Sequence, residues 1–185
     1  MKTKIIIVAA PSGAGKSSFV ERVCKEHERL EDTVTYTTRS MRAGESQGKP
    51  YFFVTKDEFE ALIQRNFFVE YAQVHAHHYG TPFEQLEKAW DKSKCVIMDV
   101  DVQGAATFKA KYPEAKTFFI LPPSIDELRR RIIKRDGKVP PDLDLRMENA
   151  VKEMRHVGEF DYQIVNDEFD LSYARFKKIV EELLR

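Results

Sequence analysis

Behind its first lysines the chain runs through Ile5-Ile6-Ile7-Val8-Ala9 without a polar position. A β-branched run with no polar face predicts a strand buried on both sides, as in a parallel sheet covered by helices. Residues 11–15 break the run with a proline and two glycines. Residues 17–27 place Phe19, Val20, Val23 and Cys24 on one side and read as a helix. Strand, glycine loop and helix in that order form a first βα unit. Apolar runs at 95–100 and 117–121, and a shorter one at 162–165, predict three more buried strands. Helices are expected at 103–112, 125–135 and 144–157, with Asp170 capping a last one. Strands alternating with helices predict an α/β fold, a doubly wound parallel sheet with both faces covered.

The stretch from residue 33 has a different texture. Residues 33–38 alternate β-formers, 39–50 are polar with Gly44, Gly48 and Pro50, and 51–54 form another short strand. Thr55 followed by Glu58 is a capping box, with Phe59, Leu62 and Ile63 as the apolar face of the helix it opens. Residues 67–74 read as a strand pair interrupted near His75, and Thr81-Pro82 as a helix start with proline first. This region is richer in strands and hydroxyls than the rest and is expected to be an inserted substrate module.

Composition narrows the classes. The 185 residues fit one compact core with small insertions. Lys+Arg and Asp+Glu both count 30, which argues against a duplex nucleic-acid binder. The two cysteines, Cys24 and Cys95, form no framework and suit a reducing compartment. The apolar run near the start is too short for a signal peptide, and no run is long enough for a membrane span. A cytoplasmic protein with no membrane partner is expected.

The chemistry is most explicit at Ala10-Pro11-Ser12-Gly13-Ala14-Gly15-Lys16-Ser17, a Walker A loop set between a buried strand and a helix. Its glycines let successive N–H groups turn inward, and the helix N-terminus aims its dipole at the same anion. Lys16 is placed for the β- and γ-phosphates of a nucleotide, and the Ser17 hydroxyl for Mg²⁺. Ala10 replaces the usual first glycine, where a small side chain suffices.

Further on, Thr35-Tyr36-Thr37-Thr38-Arg39-Ser40-Met41-Arg42 puts two arginines after a hydroxyl-rich strand, and Tyr51, Glu70, Tyr79-Gly80-Thr81 and Asp99-Val100-Asp101 follow. Two arginines and two tyrosines can hold one phosphate by charge-assisted bonds. A carboxylate can take the paired N1–H and N2–H₂ donors of guanine, and a hydroxyl suits its O6. The histidines His75, His77 and His78 have no cysteine or acid at metal-ligand spacing, which disfavours a metal site there.

Taken in order, APSGAGKSS, TYTTRSMRAGE, GKPYFFV, FVEYAQV, HHYGTP, VIMDVDVQGA, FFILPPS and YQIVND resemble the guanylate kinase family over essentially the whole chain. The resemblance implies transfer of the ATP γ-phosphoryl group to GMP, and use of dGMP is expected as well. It implies that Ser12, Gly13, Ala14, Gly15, Lys16, Ser17 and Ser18 hold ATP phosphates, with Asn166 on the adenine side. Arg39, Arg42, Tyr51 and Tyr79 would hold the GMP phosphate. Glu70 would take the guanine donors, Thr35 and Thr81 the other base atoms, and Asp101 would assist on the N2 side. Ser17, and Asp99 through water, would serve Mg²⁺. Arg131, Arg135 and Arg146 would close over ATP. The implied division is a core of residues 1–32, 87–124 and 159–185, a GMP-binding insert of 33–86, and a helical lid of 125–158. Thr35 and Thr81 stand where the family often has serine, and His77-His78 where it often has Asn-Tyr. The lid stretch 136–142 departs from the family's polar, acidic one. Two rivals remain: a non-catalytic scaffold of the same fold, which the intact loop of Gly13, Gly15, Lys16 and Ser17 opposes, and a kinase for another phosphorylated acceptor, which Glu70, Thr35 and Asp101 oppose.

Overall fold

Successive side chains of the first strand go to opposite sides of a sheet. Ile6 and Val8 join Phe19, Phe118 and Phe176 in one buried cluster, while Ile5, Ile7 and Ala9 join Leu86, Phe108 and Phe119 in another. That division is why the run has no polar position: both faces are covered, so both must be apolar. The structure, a computed structural model, describes residues 4–74 and 76–185; residues 1–3, where the chain's start was read, and His75 lie outside the described residues.

In chain order the elements are β1 (Ile5–Ala9), α1 (Lys16–Glu26), β2 (Leu30–Asp32), β3 (Tyr36–Thr37), β4 (Phe52–Phe53), α2 (Lys56–Gln64), β5 (Phe68–Val74) and β6 (His77–Pro82). They continue with α3 (Phe83–Asp91), β7 (Cys95–Val100), α4 (Val102–Lys111), β8 (Lys116–Leu121), α5 (Ile125–Asp136), α6 (Leu143–Met154), β9 (Tyr162–Val165) and α7 (Phe169–Leu183). The large sheet has the order β2-β7-β1-β8-β9 and is parallel throughout. The chain order reverses beside β1, so its carboxyl end opens on the crevice where such sheets bind ligands. A second sheet, β4-β3-β6-β5, is formed wholly from chain between β2 and β7. Its attachment is reinforced at Gln85 of α3, whose side chain accepts from Val34 N at 2.6 Å and donates to Val34 O at 2.9 Å.

The sequence expectation holds for the buried strands and for the Thr55–Glu58 capping box, in which both reciprocal bonds form. It needs correction at four places. The 33–38 strand shrinks to Tyr36–Thr37, because Val34 bonds Gln85 rather than a neighbouring strand. The 51–54 strand shrinks in the same way, to Phe52–Phe53. Thr81-Pro82 closes β6 and leads straight into α3, with Pro82 facing Phe68 in the ladder and standing as the N-cap residue, one position before the first helical one. Asp170 lies within the first turn of α7, where Glu168 is the N-cap residue, because its carboxylate is taken by Arg22 at 2.6 Å.

Candidate active site

A cleft of about 630 Å³ opens above the carboxyl end of β1. Its floor is the loop joining β1 to α1. Gly15 caps α1 at φ 100°, with no side chain accepting from the first turn and no acid in it. The helix therefore presents unused N–H donors and an uncompensated positive end to the cleft. The loop is gripped from below. A Cβ on Gly13 would lie 2.8 Å from Ile132 Cγ1, and one on Gly15 2.7 Å from Asn166 Nδ2. Asn166 itself is buried and donates to Ala14 O at 2.8 Å. Lys16, Ser17 and Ser18 line the cleft above.

Asp99 is the penultimate residue of β7, one strand over, and Val8 pairs with it in register. Ser17 Oγ donates to Asp99 Oδ2 at 2.5 Å. A hydroxyl and a carboxylate oxygen brought together beside a phosphate loop are hard oxygen donors of the kind Mg²⁺ takes. Among the described residues, no three histidines, cysteines or acids form an all-protein metal cage.

On the facing side, β3, β6 and the loop before β4 carry a cationic and phenolic group. Arg39 donates to Ser40 O at 2.7 Å and to Glu45 Oε1 at 2.8 Å, and lies 5.4 Å from the ring centres of both Tyr51 and Phe53. Tyr51 and Tyr79 meet edge to face at 5.8 Å. Burial pushes the Tyr51 phenol up, so it stays a donor. Burial lowers the Arg42 guanidinium, and Arg135 and Arg39 lower it further. Cations forced near one another in a half-buried place define a site for an anion.

The far end is acidic and hydroxylic. Glu70, in β5, is 5 % exposed. Thr81 Oγ1 donates to its Oε1 at 2.9 Å. Burial pushes the carboxyl up to about 7, opposed by the Thr81 hydroxyl and reinforced by Asp101. Asp101 caps α4, accepting from Gly104 N at 2.6 Å, and its carboxyl too is raised by burial. Thr35, itself buried, lines the same cleft.

The remaining wall is the arm of α5 and α6. Arg146 is bound to Asp136 at 3.1 Å and to Asp142 at 2.9 Å, and Arg135 to Asp136 at 2.8 Å. Both arginines line the cleft.

Most of the sequence-predicted residues thus share one cavity. Ala14, Thr81, Asn166 and Arg131 stand behind its lining. Arg131 pairs with Glu127 at 2.9 Å and donates to Asn166 O at 3.0 Å. Three lining carboxylates escaped sequence reasoning, Glu45, Asp142 and Glu153. The spacing of Glu45 from Arg39 offered a weak signal for the first.

Against known proteins, the sequence profile of the family described as Guanylate kinase matches residues 2–183. A protein named Guanylate kinase from Bdellovibrio bacteriovorus is 63% identical over 184 residues, spanning 100% of both chains. One of the same name from Sodalis glossinidius is 44% identical, covering 95% of this chain and 86% of its own. The crystal structure of guanylate kinase from Anaplasma phagocytophilum superimposes with a TM-score of 0.81 at 31% identity, covering 97% of this chain and 85% of that one.

Proposed function

The chain belongs to the guanylate kinase family, and from that premise we infer that it transfers the γ-phosphoryl group of ATP to GMP, giving GDP and ADP. One observation carries the reading at this cleft. An uncapped, glycine-turned helix start lies at one end, a buried carboxylate with a hydroxyl partner at the other, and a group of arginines and tyrosines between.

In this reading ATP phosphates rest on the N–H groups of residues 12–18, with Lys16 against the transferring group. The GMP phosphate enters the group formed by Arg39, Arg42, Tyr51 and Tyr79. Arg39 meets it with the part of its fork not used by Glu45 and Ser40. Glu70, as carboxylate, accepts from guanine N1–H and N2–H₂. Thr81 holds the carboxylate in place from behind, and Thr35 and Asp101 complete the base side. Adenine offers an acceptor where guanine offers a donor, so it would leave Glu70 buried and unpaired. The acceptor's phosphate oxygen is already nucleophilic, so no strong general base is required. Catalysis is positioning and charge stabilisation.

Ser17 and Asp99 would hold Mg²⁺, Asp99 through water; the ion would neutralise charge on the phosphate oxygens. Residues 125–158 act as a lid. When ATP arrives, its phosphates compete with Asp136 and Asp142 for Arg135 and Arg146. Arg131, held through Asn166 and Glu127, follows the same arm. Residues 33–86 are the acceptor insert, and the rest is the core. Among the described residues no helix is long and apolar enough to cross a membrane. The partners are small nucleotides, with no nucleic acid among them.

The test is an ADP-release assay with GMP, dGMP, AMP, UMP and CMP as acceptors. GMP should exceed AMP, UMP and CMP by at least about a hundredfold in kcat/KM. Comparable rates with AMP would remove the guanine assignment.

A further inference from the structure

The main cleft adjoins a smaller one of about 330 Å³, and Glu153 of α6 lines both. The phosphoryl transfer described above leaves this residue without a part. Arg146 and Glu153 are seven residues apart on the cleft-facing side of the same helix. Two helical turns separate them, about 10 Å along the axis. With Arg146 toward the transferring phosphate, Glu153 stands two turns away from it.

Its electrostatic neighbours fix the place further. Burial raises the Glu153 carboxyl to about 7, Lys16 pulls it down, and Asp101 pushes it up. Lys16 belongs to the phosphate end, and Asp101 to the base end. Asp101 and Glu70 crowd the same point of α4, since a Cβ on Gly104 would lie 3.2 Å from the one and 3.0 Å from the other. Glu153 and Asp101 line the main cleft and the smaller one together, and Lys16 lines the main cleft, so Glu153 faces the gap between phosphates and base.

The other cleft carboxylates are occupied. Asp99 accepts from Ser17, Glu70 from Thr81, Asp101 from Gly104 N, and Glu45 from Arg39. Among the described residues the Glu153 carboxylate has no hydrogen-bond or ion-pair partner. Its oxygens open onto the two clefts and are placed to accept from a bound molecule. The ammonium of Lys16 argues against a cation there, and Asp101 against an anion. What spans the gap in a nucleoside monophosphate is the sugar, whose vicinal hydroxyls are neutral donors. Resting on the GMP kinase reading, we propose that Glu153 is a specificity-determining residue that accepts hydrogen bonds from the ribose 2′ and 3′ hydroxyls of the acceptor nucleotide.

The experiment measures kcat/KM for GMP and dGMP in wild type, Glu153→Gln and Glu153→Ala, with KM for ATP as control. Wild type should favour GMP by about tenfold, the loss of one hydrogen bond to a charged acceptor. In Glu153→Ala the ratio should fall to within about twofold of unity, because neither sugar finds its acceptor. Glu153→Gln keeps one acceptor oxygen in an unchanged shape and should lie between. Calorimetric binding of GMP and dGMP gives the same ratio for any variant that folds but turns over too slowly. An unchanged ratio in both variants, a wild type indifferent to the 2′ hydroxyl, or a loss confined to ATP would overturn the proposal while leaving the GMP kinase reading intact. A wild type inactive on every acceptor would overturn both.

Discussion

Gly13 and Gly15 on the floor of the cleft, and Arg39 and Arg146 on its walls, are held in place by different physics. The glycines are fixed by shape: each has a side chain within 2.8 Å of where a Cβ would sit, and each has positive φ. The arginines are fixed by charge, Arg39 by Glu45 and Arg146 by Asp136 and Asp142. A surface set by shape is already formed before a ligand comes. One set by resident ion pairs can exchange a carboxylate for a phosphate at little net electrostatic change. The first arrangement suits the part that must present aligned N–H groups, and the second the parts that must take up and release charged nucleotides.

The largest expected effect is on the preformed side. Lys16→Ala should lower kcat by roughly 10²–10³-fold with the fold retained, as removal of one preorganised charge donor does. Rapid-quench turnover and a far-ultraviolet spectrum check it, and near-normal turnover would displace the phosphate-loop assignment. Gly15→Ala should act through sterics: about 1–3 kcal/mol of stability, visible as a drop of several degrees in Tm. A Tm equal to wild type would show that the loop relaxes around Asn166 and is not fixed by shape.

On the charged side, Arg39→Ala should raise KM for GMP by roughly tenfold to a hundredfold and leave KM for ATP nearly unchanged. Equal rises would mean that Arg39 supports the fold through Tyr51 and Phe53 instead. Glu70→Gln should narrow the GMP-to-AMP ratio by about tenfold or more, because an NH₂ donor then faces the guanine donors.

The last effect concerns pH. In the folded protein the Glu70 carboxyl rises from its ordinary 4.5 to about 7. A raised carboxyl stabilises the folded state below the unfolded value, and that contribution is lost as pH climbs through the folded one. Glu70→Gln should therefore be more stable than wild type by roughly 1–3 kcal/mol at pH 8 and match it near pH 4. By the same titration, kcat/KM for GMP in wild type should fall as pH drops below about 7, in a profile that Glu70→Gln lacks. Denaturant melts and a pH–rate series test the two halves.

How much of this was readable in the sequence follows the same division. The phosphate loop was legible because its geometry is set by contiguous residues: a buried run, two glycines, a lysine, a helix. The strands of the large sheet were legible because burial on both faces leaves an unmistakable pattern. The three residues of β2 were not, since Leu30, Glu31 and Asp32 form a strand only through their register with Cys95, Val96 and Ile97, far along the chain. Asp170 resembled a cap until Arg22 took its carboxylate across 148 positions. Glu45 and Glu153 owe their roles to neighbours that folding brings in, and one carboxylate in a chain with 30 acids carries no local mark.

The paired hydrogen bonds between Gln85 and Val34 have a mechanical consequence. The polypeptide crosses from the large sheet to the small one near Val34 and returns through α3, where Gln85 sits. The sheet is fastened a second time through β5, where Val69 is buried in the core beside Phe108 and its carbonyl accepts from Lys111 Nζ. Glu70, one residue on, is thus pinned against α4, while Tyr36–Thr37 and Phe52–Phe53 hang farther from that fastening.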